Sequence, residues 1–157
     1  MSFKNASIVI LALLTAIGCS KPNTESTTQS TPTQEEESAM TTSESQTLYR
    51  GGSKFCEITS DGEVWINGDK QGSIEADGEI WVAGVKEGSI ESDGEVWKAG
   101  NKIGDVTKDL EIWFEGDRVG EIEADGTVWH NGDSIGSTQG GDPKRAAIVF
   151  YFGFFGG

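Results

Sequence analysis

With 157 residues the chain has room for one domain, and the roughly 90 residues that repeat lie near the lower size limit for a self-sufficient core. Its 26 acidic and 12 basic residues leave a net charge of −14, which repels nucleic acid and anionic headgroups, so neither is an expected partner. The plain reading of that charge is a solvated surface.

The first element is a targeting signal. Lys4 precedes an apolar run from Ile8 to Ile17, followed by Gly18 and Cys19, the layout of a secretory signal peptide over residues 1–18. The stretch Leu14-Thr15-Ala16-Ile17-Gly18-Cys19 resembles a bacterial lipobox, which implies that Cys19 is lipidated and becomes the first residue of the mature chain. Ser20 in place of an aspartate implies, by the same resemblance, the outer membrane of a Gram-negative envelope, with membrane contact through the N-terminal lipid anchor. Residues 19–47 then form the lipidated cysteine and a linker of Ser, Thr, Gln, Glu and Pro, too poor in apolar groups to offset its ordering entropy. Its typical end-to-end distance is roughly 30 Å. With Cys19 consumed by lipid, Cys56 has no intramolecular partner, so packing must hold the fold.

From 48 to 139 the chain repeats a 16-residue unit, Gly-x-Ile-x-x-Asp-Gly-x-Val/Ile-Trp-x-x-Gly-x-Lys-x, which places Trp65, Trp81, Trp97, Trp113 and Trp129 in one register. A unit this short cannot bury its own apolar face, so the copies must stack or close on themselves. Each holds two turn signals, Asp61-Gly62 and Asn67-Gly68 in the first copy, which reads as two short strands and two reversals. Leu110 replaces the turn glycine in the fourth copy, where a strained or different turn is expected. Cys56 stands in the slot of Gly72, Gly88, Gly104, Gly120 and Gly136, as a small residue in a tight place.

Half-units flank the array: Leu48 to Phe55 with Tyr49 in the tryptophan slot, and Gly136-Ser137-Thr138. If these halves pair, the sheet closes. The expected fold is all-β with one helix, a closed antiparallel barrel of about six 16-residue hairpins and about twelve strands, with no exposed edge. A two-residue turn at Asn67-Gly68 sets Trp65 opposite Lys70, and likewise Tyr49 and Lys54, Trp81 and Lys86, Trp97 and Lys102, Trp113 and Arg118, a row of aromatic and cation pairs. A three-residue turn with a glycine bulge at Gly78 instead pairs Ile74 with Ile80 inside and leaves Trp81 outside. Tryptophan as packing residue and tryptophan as ligand surface both remain open.

Residues 140–157 are a hydrophobic C-terminal segment. Asp142 followed by Pro143 starts a helix, and a helix apolar on every side must be enclosed. Twelve tilted strands leave a bore of about 10 to 12 Å, the width of one helix, so the segment is expected to plug the barrel. A final strand or a membrane-dipping tail competes.

The repeats and this apolar tail resemble the bacterial β-flower proteins, whose barrel of hairpins is similar to the eukaryotic tubby C-terminal domain, twelve strands around a central hydrophobic helix. For the β-flower family the resemblance implies a fold and no activity. Tubby-like domains bind phosphoinositides through basic residues, whereas this repeat surface is acidic, so that activity is not expected.

Catalysis is not expected: the sole histidine, His130, falls in a slot that also takes Ile66, Val82, Lys98 and Phe114 and reads as exposed. Asp61, Asp77, Asp93, Asp109 and Asp125 are explained by turn chemistry, so no metal and no cofactor is expected. The remaining reading is a monomeric envelope lipoprotein that binds or scaffolds, with a glycan or an envelope protein as partner, through the tryptophans or, alternatively, a lipid in the bore.

Overall fold

The computed structural model describes residues 44–156; the expected signal peptide, Cys19 and most of the expected linker lie outside the described residues. Twelve strands follow in order: β1 (Gln46–Arg50), β2 (Ser53–Ile58), β3 (Glu63–Ile66), β4 (Asp69–Ile74), β5 (Glu79–Val82), β6 (Val85–Ile90), β7 (Glu95–Lys98), β8 (Asn101–Val106), β9 (Glu111–Phe114), β10 (Asp117–Ile122), β11 (Thr127–His130) and β12 (Asp133–Gln139), before a helix α1 (Pro143–Tyr151). Each strand pairs antiparallel with its chain neighbour, and β12 returns to β1 to close the barrel. The half-units thus pair with each other, through Leu48 opposite Thr138 and Tyr49 opposite Ser137. The first strand begins at Gln46, two residues before the start read from the repeat.

Both turn geometries occur, one at each end of the barrel. At the tight end Ile66 pairs with Asp69 across Asn67 (φ 53) and Gly68 (φ 91), two positive angles that match the strand twist. At the other end Ile74 pairs with Ile80, and the Gly78 amide bonds back to the Glu75 carbonyl at 3.1 Å, a three-residue loop closed by a glycine in the left-handed region. A Cβ on Gly78 would also fall 2.0 Å from the Ile90 carbonyl oxygen of the next hairpin. Leu110 keeps this turn, its amide on the Thr107 carbonyl at 3.0 Å. Its φ is 59 against 88 to 96 at the equivalent Gly62, Gly78, Gly94 and Gly126; the fourth turn is therefore strained rather than of another type.

Alternation along the strands points every second residue inward, among them Val64, Ile80, Val96, Ile112, Val128 and Leu48 on the odd strands and Ile58, Ile74, Ile90, Val106, Ile122 and Thr138 on the even ones. All are buried. At roughly 25 cal/mol per Å² of apolar surface, such layers supply most of the stability of a sheet this small.

The helix fills the bore. Asp142 caps it, its Oδ1 accepting from the Lys144 amide at 2.9 Å, with Pro143 at the first position; Ala146, Ala147 and Ile148 have no exposed surface. It ends at Tyr151, shorter than the 140–157 segment read as helix, because Gly153 turns the chain at φ 59. Phe154 and Phe155 then continue as a buried non-helical tail.

A strand glycine and a plug ring meet in five of the six hairpins. A Cβ on Gly136 would lie 3.0 Å from Phe150, on Gly120 2.6 Å from the Tyr151 hydroxyl, on Gly104 2.7 Å from Phe152, on Gly88 2.8 Å from Phe154 and on Gly72 3.0 Å from Phe155. The plug passes the strands in reverse order, one ring to one glycine. The sixth slot holds Cys56, whose own buried side chain occupies the space.

Candidate functional site

Outward positions on the odd strands carry the aromatic row. Trp65, Trp81, Trp97, Trp113 and Trp129 are each half-buried on the outer face, because the inward Val or Ile that precedes each one fixes its direction. The register sets Trp65 opposite Lys70, Trp81 opposite Lys86, Trp97 opposite Lys102, Trp113 opposite Arg118 and Tyr49 opposite Lys54. Trp129 faces Ser134.

The cations do not lie over those rings. Lys70 and Lys86 pair with Glu63 and Glu79, Lys102 with Glu95 at 2.7 Å and Arg118 with Glu111 at 2.9 Å. Glu63, Glu79 and Glu95 also accept from the indole N–H of the residue two places on, at 3.2 Å for Trp65, 3.1 Å for Trp81 and 3.2 Å for Trp97. Three of the expected aromatic and cation pairs are therefore Glu-bridged triads, while Lys54 goes to Glu57, since a carboxylate within reach attracts an ammonium more strongly than an exposed ring does. Hydrogen bonds from Lys86, then Trp81, hold the Glu79 carboxyl below its usual value. These pairs stay exposed enough to be worth little each.

Shallow grooves run beside the rings. One of about 390 Å³ lies between β2 and β3 and is lined by Lys54, Glu57, Glu63 and Trp65; its counterpart two hairpins on, of the same volume, is lined by Lys86, Ser89, Glu91 and Trp97. Each offers an aromatic wall, a carboxylate and an ammonium, the groups that hold polar, non-reacting ligands.

The fifth unit departs from this pattern. Thr127 replaces the bridging glutamate and Ser134 the cation, and the Trp129 Nε1 is buried without a hydrogen-bond partner. A buried donor left unmade costs about 1 to 3 kcal/mol.

His130 is not exposed on the outer face. Its slot turns into the tight-turn mouth, where its ring lies 5.8 Å from that of Tyr151, Phe114 lies 6.0 Å from Phe152, and Lys98 Nζ lies 4.8 Å from the centre of Phe154. The mixed residue types seen there reflect packing against the plug. The turn aspartates accept local bonds, Asp77 from the Glu79 amide and Asp93 from the Glu95 amide at 3.1 Å, and Asp125 from the Thr127 amide at 2.8 Å. Among the described residues no three acidic, histidine or cysteine side chains gather as a metal site.

The bridging glutamates escaped the sequence reading, although their recurrence two residues before each of four tryptophans was visible. The glycine and ring pairs also escaped it. Cys19 lies outside the described residues. No family model, no curated protein and no solved structure matches the chain.

Proposed function

We propose that this protein is a non-catalytic binding module of the cell envelope, tethered to the outer membrane by a lipid on Cys19, that contacts a glycan through its outer aromatic row. The observation that carries this is the row itself: half-buried indoles beside grooves on the outside of a barrel whose inside is filled. A lipid in the bore would have to displace α1 and the rings docked on five strand glycines, so the outer face is favoured over the bore. Closure of the sheet removes edge strands that would recruit a second copy, in keeping with a monomer. Kinship with the β-flower barrels is supported by twelve closed strands around one apolar helix.

Two experiments test the two halves of this reading. Cys19→Ser should release the protein from membranes, and an unchanged membrane fraction overturns the lipid anchor. Peptidoglycan fragments and other oligosaccharides should change the tryptophan fluorescence, and a flat titration with all of them overturns the glycan surface.

A further inference from the structure

The outer face changes chemistry at the seam where the chain ends meet. In the hairpin β9–β10 the outward positions around Trp113 are Glu111, Arg118, Glu121 and Glu123; sixteen residues later, around Trp129, they are Thr127, Ser134, Ser137 and Gln139. Four charges have become four neutral hydrogen-bonding groups while the aromatic is kept. Closure extends the neutral surface onto β1, because Tyr49 pairs with Ser137, which pairs on its other side with Thr127. In a chain of net charge −14 this stripe of three strands has no charged outward side chain between its two aromatics.

One exposed donor is also undersatisfied: the Tyr49 hydroxyl reaches only Gln139 Oε1 at 3.5 Å, whereas the Trp129 Nε1 is buried beneath the stripe. The flanking charges are already neutralised, Glu121 by Arg118 at 2.8 Å and Lys54 by Glu57 at 2.6 Å. Tyr49 and Trp129 sit on strands separated by β12 and offset by two residues, so their backbones are roughly 12 Å apart by sheet geometry. A short oligosaccharide spans that distance.

We propose that this seam is the glycan site and that it takes an uncharged oligosaccharide. The two rings offer flat apolar faces to sugar rings, while Thr127, Ser134, Ser137 and Gln139 meet sugar hydroxyls. Covering any of the Glu-bridged triads with a neutral ligand would desolvate charges without replacing their water; the seam carries no such penalty. The inference rests on the reading of the outer row as a glycan surface and narrows it to one hairpin and its neighbour.

The test uses the purified full-length protein, isothermal titration, and three probes: tetra-N-acetylchitotetraose and maltohexaose as neutral chains, and an oligogalacturonate as an anionic one. A neutral chain should bind, with an affinity that does not change between low and high salt. Trp129→Ala should weaken it at least tenfold, and Trp97→Ala less than twofold. Because Trp129→Ala can disturb packing, Thr127→Glu with Ser134→Lys supplies a second variant that rebuilds the triad three other hairpins already fold with; it too should weaken binding tenfold. Neutral binding that survives both seam variants, or falls equally with Trp97→Ala, overturns the seam and leaves the glycan reading standing. Preference for the oligogalacturonate overturns the uncharged ligand. Absence of binding to all three overturns both.

Discussion

Gly88 and Phe154 contend for one space: a Cβ on Gly88 would stand 2.8 Å from the phenylalanine ring and 2.1 Å from the Trp97 carbonyl oxygen. At Cys56 the sheet carries a side chain in this same slot with no plug ring assigned to it, so the backbone can yield there and the ring decides. Gly88→Ala should therefore destabilise the protein by about 2 kcal/mol, in the range of an overpacked core. Urea unfolding checks this, and Phe154→Leu in the same chain should recover part of the loss. No recovery would show that the carbonyl contact alone excludes the methyl group.

Three tight turns use poor residues for their geometry. Ala83, Ala99 and Glu115 have φ of 50, 49 and 52, where Asn67 and Asn131 occupy the same position at 53 and 51. All three are exposed, so no packing is lost on replacing them. Ala83→Asn, Ala99→Asn and Glu115→Asn should each stabilise by about 0.5 kcal/mol, asparagine tolerating the left-handed region that costs other residues about 1 kcal/mol or more. The triple variant should melt several degrees higher, and an unchanged melting temperature would refute the assignment of strain.

Arg145 enters the barrel with the helix and is 2 % exposed, yet its Nε and Nη2 have no hydrogen-bond partner. Burial pulls its affinity for the proton down, against the charges of Asp142, Glu75 and Asp61. A buried ion without full pairing is commonly outperformed by an apolar residue of similar size, by about 1 to 4 kcal/mol. Arg145→Met should thus raise the urea midpoint. A lowered midpoint would show that the three carboxylates more than offset desolvation.

Alkali should unfold the barrel from within. Burial, with help from Glu57, pushes the Cys56 thiol from 9.0 up to about 12; burial likewise raises the Tyr151 phenol from 10.0 to about 12. Both groups hold their protons more tightly folded than unfolded. The stability they contribute is complete below the unfolded values and is lost as the pH climbs towards about 12. Unfolding midpoints should be level to about pH 9 and fall steeply above it, and a level profile to about pH 11.5 would contradict this burial.

The sequence was most legible where one residue type had one physical use. Asp-Gly and Asn-Gly at Asp61-Gly62, Asn67-Gly68 and their counterparts set the rhythm of the reversals, the half-units at Tyr49 and Gly136 implied closure, and Asp142-Pro143 marked the helix start. What escaped it depends on contacts between distant segments. Nothing local to Gly88 or Gly120 says which ring will lie beneath, since Phe154 and Tyr151 follow 66 and 31 residues later. His130 read as exposed because its slot varies, whereas the slot faces a plug whose own residues vary with it. Leu110 revealed its strain from identity alone, since a branched side chain at a left-handed position is costly in any fold. The lysines were correctly placed across from the tryptophans, but a register names neighbours and not which neighbour wins the charge.

An open array of repeats can grow or shrink by one unit through duplication or deletion of its coding segment, with little effect on the copies that remain. This ring cannot. A seventh hairpin would widen the bore beyond one helix and leave a strand glycine with no ring to cover it, while a fifth-order ring would leave a ring with no glycine to receive it. The number of units is thus locked to the spelling of residues 150–155, and the two can change in evolution only together.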